Sequence, residues 1–173
     1  MSKDERGFTV VSLLLVLAVA SIVAVGGGMT TAQITGVTRQ SADYATAVRQ
    51  AQNLGFWVSQ DLLNADTVNA TDDPSTPETE FITFNWKDMQ TGNLYETRYS
   101  WSDPYSPLKK VMRKYATRDN QGVPTGSTVT LVADSIASAD LSLQAGDRWR
   151  LTVAAQSGDK TRTRRYEISK RVQ

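Results

Sequence analysis

The sequence predicts an α+β chain: a long N-terminal helix, transmembrane in one half and amphipathic in the other, packed on a mainly antiparallel β-sheet head. Three observations carry this prediction. No charged residue occurs from Gly7 to Thr38. Apolar residues recur at helical spacing from Tyr44 to Ala65. Beyond residue 80 the apolar period shortens to two and stays there. One helical stretch followed by a run of strands is the element order of α+β architectures. A sheet covered on one face by a helix suits antiparallel pairing.

The first element is the uncharged run. From Phe8 to Val25 the only polar side chains are Thr9, Ser12 and Ser21, and Gly26, Gly27 and Gly28 close the run. About 18 apolar residues are near the lower limit for a helix that crosses a bilayer. Each glycine weakens a helix by about 1 kcal/mol relative to alanine, so a flexible point is expected at Gly26–Gly28. In lipid the helix still holds there, because its backbone groups have no other partner.

The second element runs from Arg39 to Asp66. Tyr44, Val48, Ala51, Gly55, Val58, Leu62 and Ala65 recur at alternating intervals of four and three, an amphipathic stripe read as a core face against a sheet. Arg39 and Asp43, four apart, are expected to form an exposed pair of small value. Residues 67–80, with Asp72-Asp73-Pro74 and Pro77, read as a loop.

Strands follow. Ile82, Phe84 and Trp86 share a face, as do Tyr95, Thr97, Tyr99 and Trp101, with a hairpin turn expected at Gln90–Asn93. Leu108–Thr117 reads as a basic strand, Asp119–Gly126 as a loop, and Val129–Val132 and Ile136–Leu143 as two short strands. Trp149, Leu151, Val153 and Ala155 alternate, and Tyr166, Ile168 and Val172 mark the last strand.

Composition limits the chemistry. The chain has 173 residues, a formal net charge of +1, no Cys and no His. Disulfides, thiol chemistry, a thioether lipid anchor and His-based catalysis are therefore excluded. Asp72, Asp73, Glu78 and Glu80 match no calcium loop, and no Gly-rich phosphate cradle follows a strand. No enzyme activity, metal or cofactor is expected. Lys160, Arg162, Arg164, Arg165, Lys170 and Arg171 crowd the C terminus. Adjacent Arg164 and Arg165 face opposite sides of a strand, which fits charges that guard a sheet edge rather than one DNA-binding surface.

Three readings of the N-terminal run follow from its residues. Lys3 and Arg6 before it and Ala18-Val19-Ala20 within it suit a cleaved secretory signal. The same cations suit an uncleaved signal anchor. In the third reading a short polar leader is cut away before the apolar segment, which then stays on the mature protein. The leader Met1–Gly7 ends in Gly, and Phe8-Thr9 and the apolar run follow at once. A glycine there also supplies an uncrowded backbone where the helix is expected to break.

This stretch resembles the prepilin signal of type IV pilins and secretion pseudopilins, in which Gly is followed by Phe-Thr-x-x-Glu and a long apolar helix. The resemblance implies cleavage between Gly7 and Phe8 by a prepilin peptidase and N-methylation of Phe8. It also implies partners: other major and minor pilins or pseudopilins, an inner-membrane assembly platform and the lipid bilayer. The domains become a leader (1–7), a fibre-core helix (8–38), an amphipathic helix (39–66) and an extracytoplasmic head (67–173).

One position departs from the family. Its Glu at the fifth mature residue is Ser12 here. In the family that carboxylate is taken to pair with a neighbour's N-terminal amine, and a charge in lipid is costly unless paired. Ser12 reads either as a tolerated substitution or as the mark of a minor subunit that is not a repeating building block, such as one at the fibre tip. In the head, Gln60-Asp61-Leu62-Leu63-Asn64-Ala65 resembles the end-of-helix Arg-Asp-Leu-x-x-Ala region of J-type minor pseudopilins and W-type minor pilins, with Gln60 in place of Arg. Ile82-Thr83-Phe84 and Leu131-Val132-Ala133-Asp134-Ser135-Ile136 match that class in order. The competing expectation is a membrane-anchored binding module that enters no fibre.

Overall fold

The computed structural model describes residues 5–71 and 78–169. One helix, α1 (Glu5–Asn64), precedes seven strands: β1 (Thr67–Asn69), β2 (Thr79–Lys87), β3 (Leu94–Trp101), β4 (Lys109–Arg118), β5 (Pro124–Gln144), β6 (Arg148–Ser157) and β7 (Lys160–Ser169). The strands form a single sheet in sequence order, each antiparallel to the next. The chain divides into two compact units, Met1–Ala42 and Asp43–Gln173.

In the second unit the helix covers the sheet. Ala51, Val58, Leu62 and Ala65 of the expected stripe are buried, and Ala47, Leu54 and Asp61 widen it. Tyr44, at its start, stays 46% exposed. Leu54, Val58 and Leu62 are fully buried against Ile82, Phe84, Tyr99, Val111, Ile136, Leu151 and Val153. Each such side chain contributes about 1.5–3 kcal/mol. Gly55 is required by contact: a Cβ there would lie 2.1 Å from Cζ of Tyr166. That ring seats its hydroxyl on the Ala51 carbonyl at 3.1 Å.

The helix ends by handing its backbone to the sheet. The Ala65 amide closes a tight last turn on the Leu62 carbonyl at 3.2 Å, and the Asp66 amide donates to the Asn85 carbonyl at 2.8 Å. The Asp66 carboxylate accepts the Lys87 amide at 2.8 Å. The three residues after it pair with β2 as β1, so part of the expected loop is strand. Residues 72–77, which hold Asp72, Asp73, Pro74 and Pro77, lie outside the described residues, as do Lys170, Arg171 and Val172.

Two further expectations are corrected. The β2–β3 turn spans Asp88–Asn93, wider than Gln90–Asn93. The Asp88 carboxylate caps the Gln90 amide at 2.8 Å, and Gly92 takes a φ of 74°. That capping lowers the Asp88 pKa. The two short strands expected at 129–143 are one strand, β5, because both ends find partners. Its first part pairs with β4 and its last part with β6. The change of partner occurs at a bend, where Ser135 has a φ of 58°. Gln50 of the helix holds it, accepting the Asp134 amide at 2.8 Å.

Candidate membrane and assembly segment

From Val10 to Ala42 every residue of α1 is exposed. The large apolar side chains there range from 52% exposed at Val19 to 73% at Ile22. A contiguous apolar surface of this extent is far beyond what a soluble surface carries, and marks contact with lipid or protein. This is one helix long and apolar enough to cross a membrane as a single-pass anchor.

Four of its hydroxyls bond back within the helix. Ser21 Oγ donates to the Ala18 carbonyl at 2.8 Å, and Thr35 Oγ1 to that of Thr31 at 2.9 Å. Thr30 and Thr31 donate to the carbonyls of Gly26 and Gly27 at 2.9 and 3.0 Å. The helix runs unbroken through Gly26, Gly27 and Gly28, and a Cβ at any of the three would meet nothing within 4 Å. Thus two threonine hydroxyls bond back to the glycine carbonyls one turn earlier, a contact that satisfies the hydroxyls and loosens rather than fastens the turn. The sequence signal for this was present in the four-residue spacing of Gly26-Gly27 and Thr30-Thr31.

The expected processing point is helical. α1 begins at Glu5, so Gly7 and Phe8 lie inside it, and Gly7 does not break the helix. Without a residue such as Pro, a single glycine costs too little to stop a helix that continues on both sides. Ser12 lies on the same helix and is exposed.

The head is tied to α1 by a cluster that sequence reading missed. Asp61, only 5% exposed, accepts Arg113 Nε at 2.8 Å and Nη2 at 2.7 Å in a two-pronged pair. The buried Tyr99 hydroxyl donates to the same carboxylate. Burial foremost, and then the Asp61 charge, push the Tyr99 pKa up. The hydrogen bonds that Arg113 donates to Asp61 likewise raise the Arg113 pKa. The guanidinium also lies over the Trp57 ring at 4.9 Å. Asp61 thus joins helix to β3 and β4, and its partners lie 38 and 52 residues away, beyond any local motif.

Other polar contacts fasten the start of this helical part. Asp43 accepts Ser157 Oγ, at the end of β6, at 3.1 Å. Arg162 stacks over Tyr44 at 4.3 Å. In the β7 register Arg164 lies opposite Val153 and Arg165 opposite Thr152, so the two arginines sit on opposite faces.

No family model, curated protein or solved structure matches the chain. The arrangement itself therefore bears the functional argument. An exposed apolar helical part precedes a helical part whose buried face is filled by the sheet.

Proposed function

We propose that this chain is a minor pilin or pseudopilin, an assembly subunit of a type IV pilus or type II secretion-like fibre. The observation that supports this reading most is the pairing of Gly7-Phe8-Thr9 with a helix whose residues 10–42 are all exposed. A secretory signal cleaved after Ala20 would discard the first part of that surface. A fibre subunit keeps it, first as a membrane anchor and then as the packed core of the fibre. Lys3 and Arg6 hold the leader in the cytoplasm by the positive-inside rule, and the head lies outside. Prepilin peptidase cuts after Gly7, and Phe8 becomes the methylated N terminus.

In a fibre core the apolar faces of Val10–Val25 pack against neighbouring helices. Lipid and apolar neighbours are equivalent solvents for them, so transfer from bilayer to fibre needs no new charge pairing. The family's carboxylate is absent at Ser12, which supports a terminal place, where no neighbour's amine must be met. Co-expression with a prepilin peptidase tests the reading: the wild-type chain shortens by the leader, and Gly7→Leu retains it. Equal mobility of the two would contradict processing. Ser12→Glu tests the terminal place. It should incorporate along the fibre where wild type is confined to its end, and identical incorporation of both removes that part of the proposal.

A further inference from the structure

The two outer strands of the sheet, β1 and β7, are protected. β1 is three residues long. β7 carries Lys160, Arg162, Arg164, Arg165 and Glu167 along its length. Short length and dense charge are the usual devices that stop one sheet from adding to another. An inner edge, unpaired among the described residues, belongs to the first part of β5. From Pro124 to Ala133 that strand pairs only with β4, because β6 joins it from Ile136 onward. This stretch, Pro-Thr-Gly-Ser-Thr-Val-Thr-Leu-Val-Ala, contains no charge and is rich in β-branched residues. Every residue from Val123 to Leu131 is exposed.

The two faces of this edge differ. Ser127, Val129 and Leu131 stand opposite Ala116, Lys114 and Met112 on one face. Thr128 and Thr130 stand opposite Tyr115 and Arg113 on the other. Val129 is 57% and Leu131 51% exposed, large for apolar side chains on a strand.

We propose that the Gly126–Leu131 edge of β5 pairs antiparallel, about a two-fold axis, with the same edge of a second copy of this chain. The pattern is self-complementary. A two-fold axis normal to the sheet keeps like faces together: with the axis at Val129, Leu131 stands opposite Ser127 of the second copy, Val129 meets its own counterpart and Thr128 meets Thr130. The valine and threonine cross-strand pairs are favourable. The nearest cations do not oppose it. With the axis at Val129, the Lys114 side chains of the two copies stand three strand spacings apart, about 14 Å, beyond the screening length of about 8 Å at physiological salt. Two-fold, isologous contact is the commonest form of homodimer. The pairing is independent of whether the N terminus is processed.

The chain has no cysteine, so single-cysteine variants report the contact without background. Directly opposed antiparallel residues have Cα atoms about 4.5–5.5 Å apart, within disulfide reach. The full chain in detergent micelles, mildly oxidised, should give a covalent dimer with Val129→Cys and none with Thr163→Cys on β7. Sedimentation of the cysteine-free chain should show a dimer, and Val129→Lys/Leu131→Lys should weaken it at least tenfold. The proposal is overturned if the chain sediments as a monomer, or if the double-lysine variant dimerises as well as wild type. It is equally overturned if Thr163→Cys crosslinks as readily as Val129→Cys, or if Val129→Cys couples only to a different protein.

Discussion

The two parts of α1 share a backbone and differ in everything else. From Val10 to Ala42 no side chain is buried and no charge appears before Arg39. From Asp43 to Asn64 a buried stripe faces the sheet, and Asp43, Gln50 and Asp61 each bond to a residue more than 50 positions away. The lesson is that exposure has opposite meanings in the two parts. In the second, the exposed face is the ordinary solvated side of an amphipathic helix. In the first, exposure all round belongs to a helix long and apolar enough to cross a membrane.

Substitutions in the second part should therefore unfold the head, and those in the first should not. All four tryptophans lie beyond Asp43, so their fluorescence during denaturant unfolding in detergent reports the head alone. Asp61→Ala should have the largest effect, a loss of about 3–5 kcal/mol, because it leaves the Arg113 guanidinium without its buried partner. Leu54→Ala, at a fully buried site, should cost about 2–5 kcal/mol. Gly55→Ala should cost about 1–3 kcal/mol, since the new methyl displaces the Tyr166 ring.

Alkaline pH sharpens the same contrast. The Tyr99 pKa is raised above its ordinary value of 10.0 by burial and by Asp61. The unfolded chain releases that proton above pH 10 while the folded one retains it, so stability is full below pH 10 and falls as pH rises. The slope is up to about 1.4 kcal/mol per pH unit for this group. Tyr99→Phe should flatten that part of the pH profile. The smallest effect belongs to Leu14→Ala, which should shift head stability by less than about 0.5 kcal/mol. A larger shift would break the comparison, because it would mean the first part is held by the head.

Much of this division was legible in the sequence. The period of Ala51, Val58, Leu62 and Ala65 is a direct record of the buried face, and alternation at Ile82–Phe84, Thr97–Tyr99 and Leu151–Ala155 records the inner face of the sheet. Asp61 was not legible, because a buried carboxylate at the edge of a stripe looks like a solvated one until Tyr99 and Arg113 are brought to it. β5 was misdivided because Pro124, Gly126 and the Asp134-Ser135 step carry turn chemistry, while pairing with β4 and β6 overrides it. β1 was missed because three residues hold no period. The proposed processing signal at Gly7-Phe8 is of another kind. An enzyme would read it from its residues, and the fold around it adds only that the segment is helical and continuous with the apolar run.

The central claim is that this apolar helix is kept and reused rather than discarded or left as a simple anchor. Mass spectrometry of the N terminus of the chain purified from its native membrane tests it most directly. The account predicts a mature protein that begins at N-methylated Phe8. An intact Met1, or a chain that begins at Ser21, would contradict it.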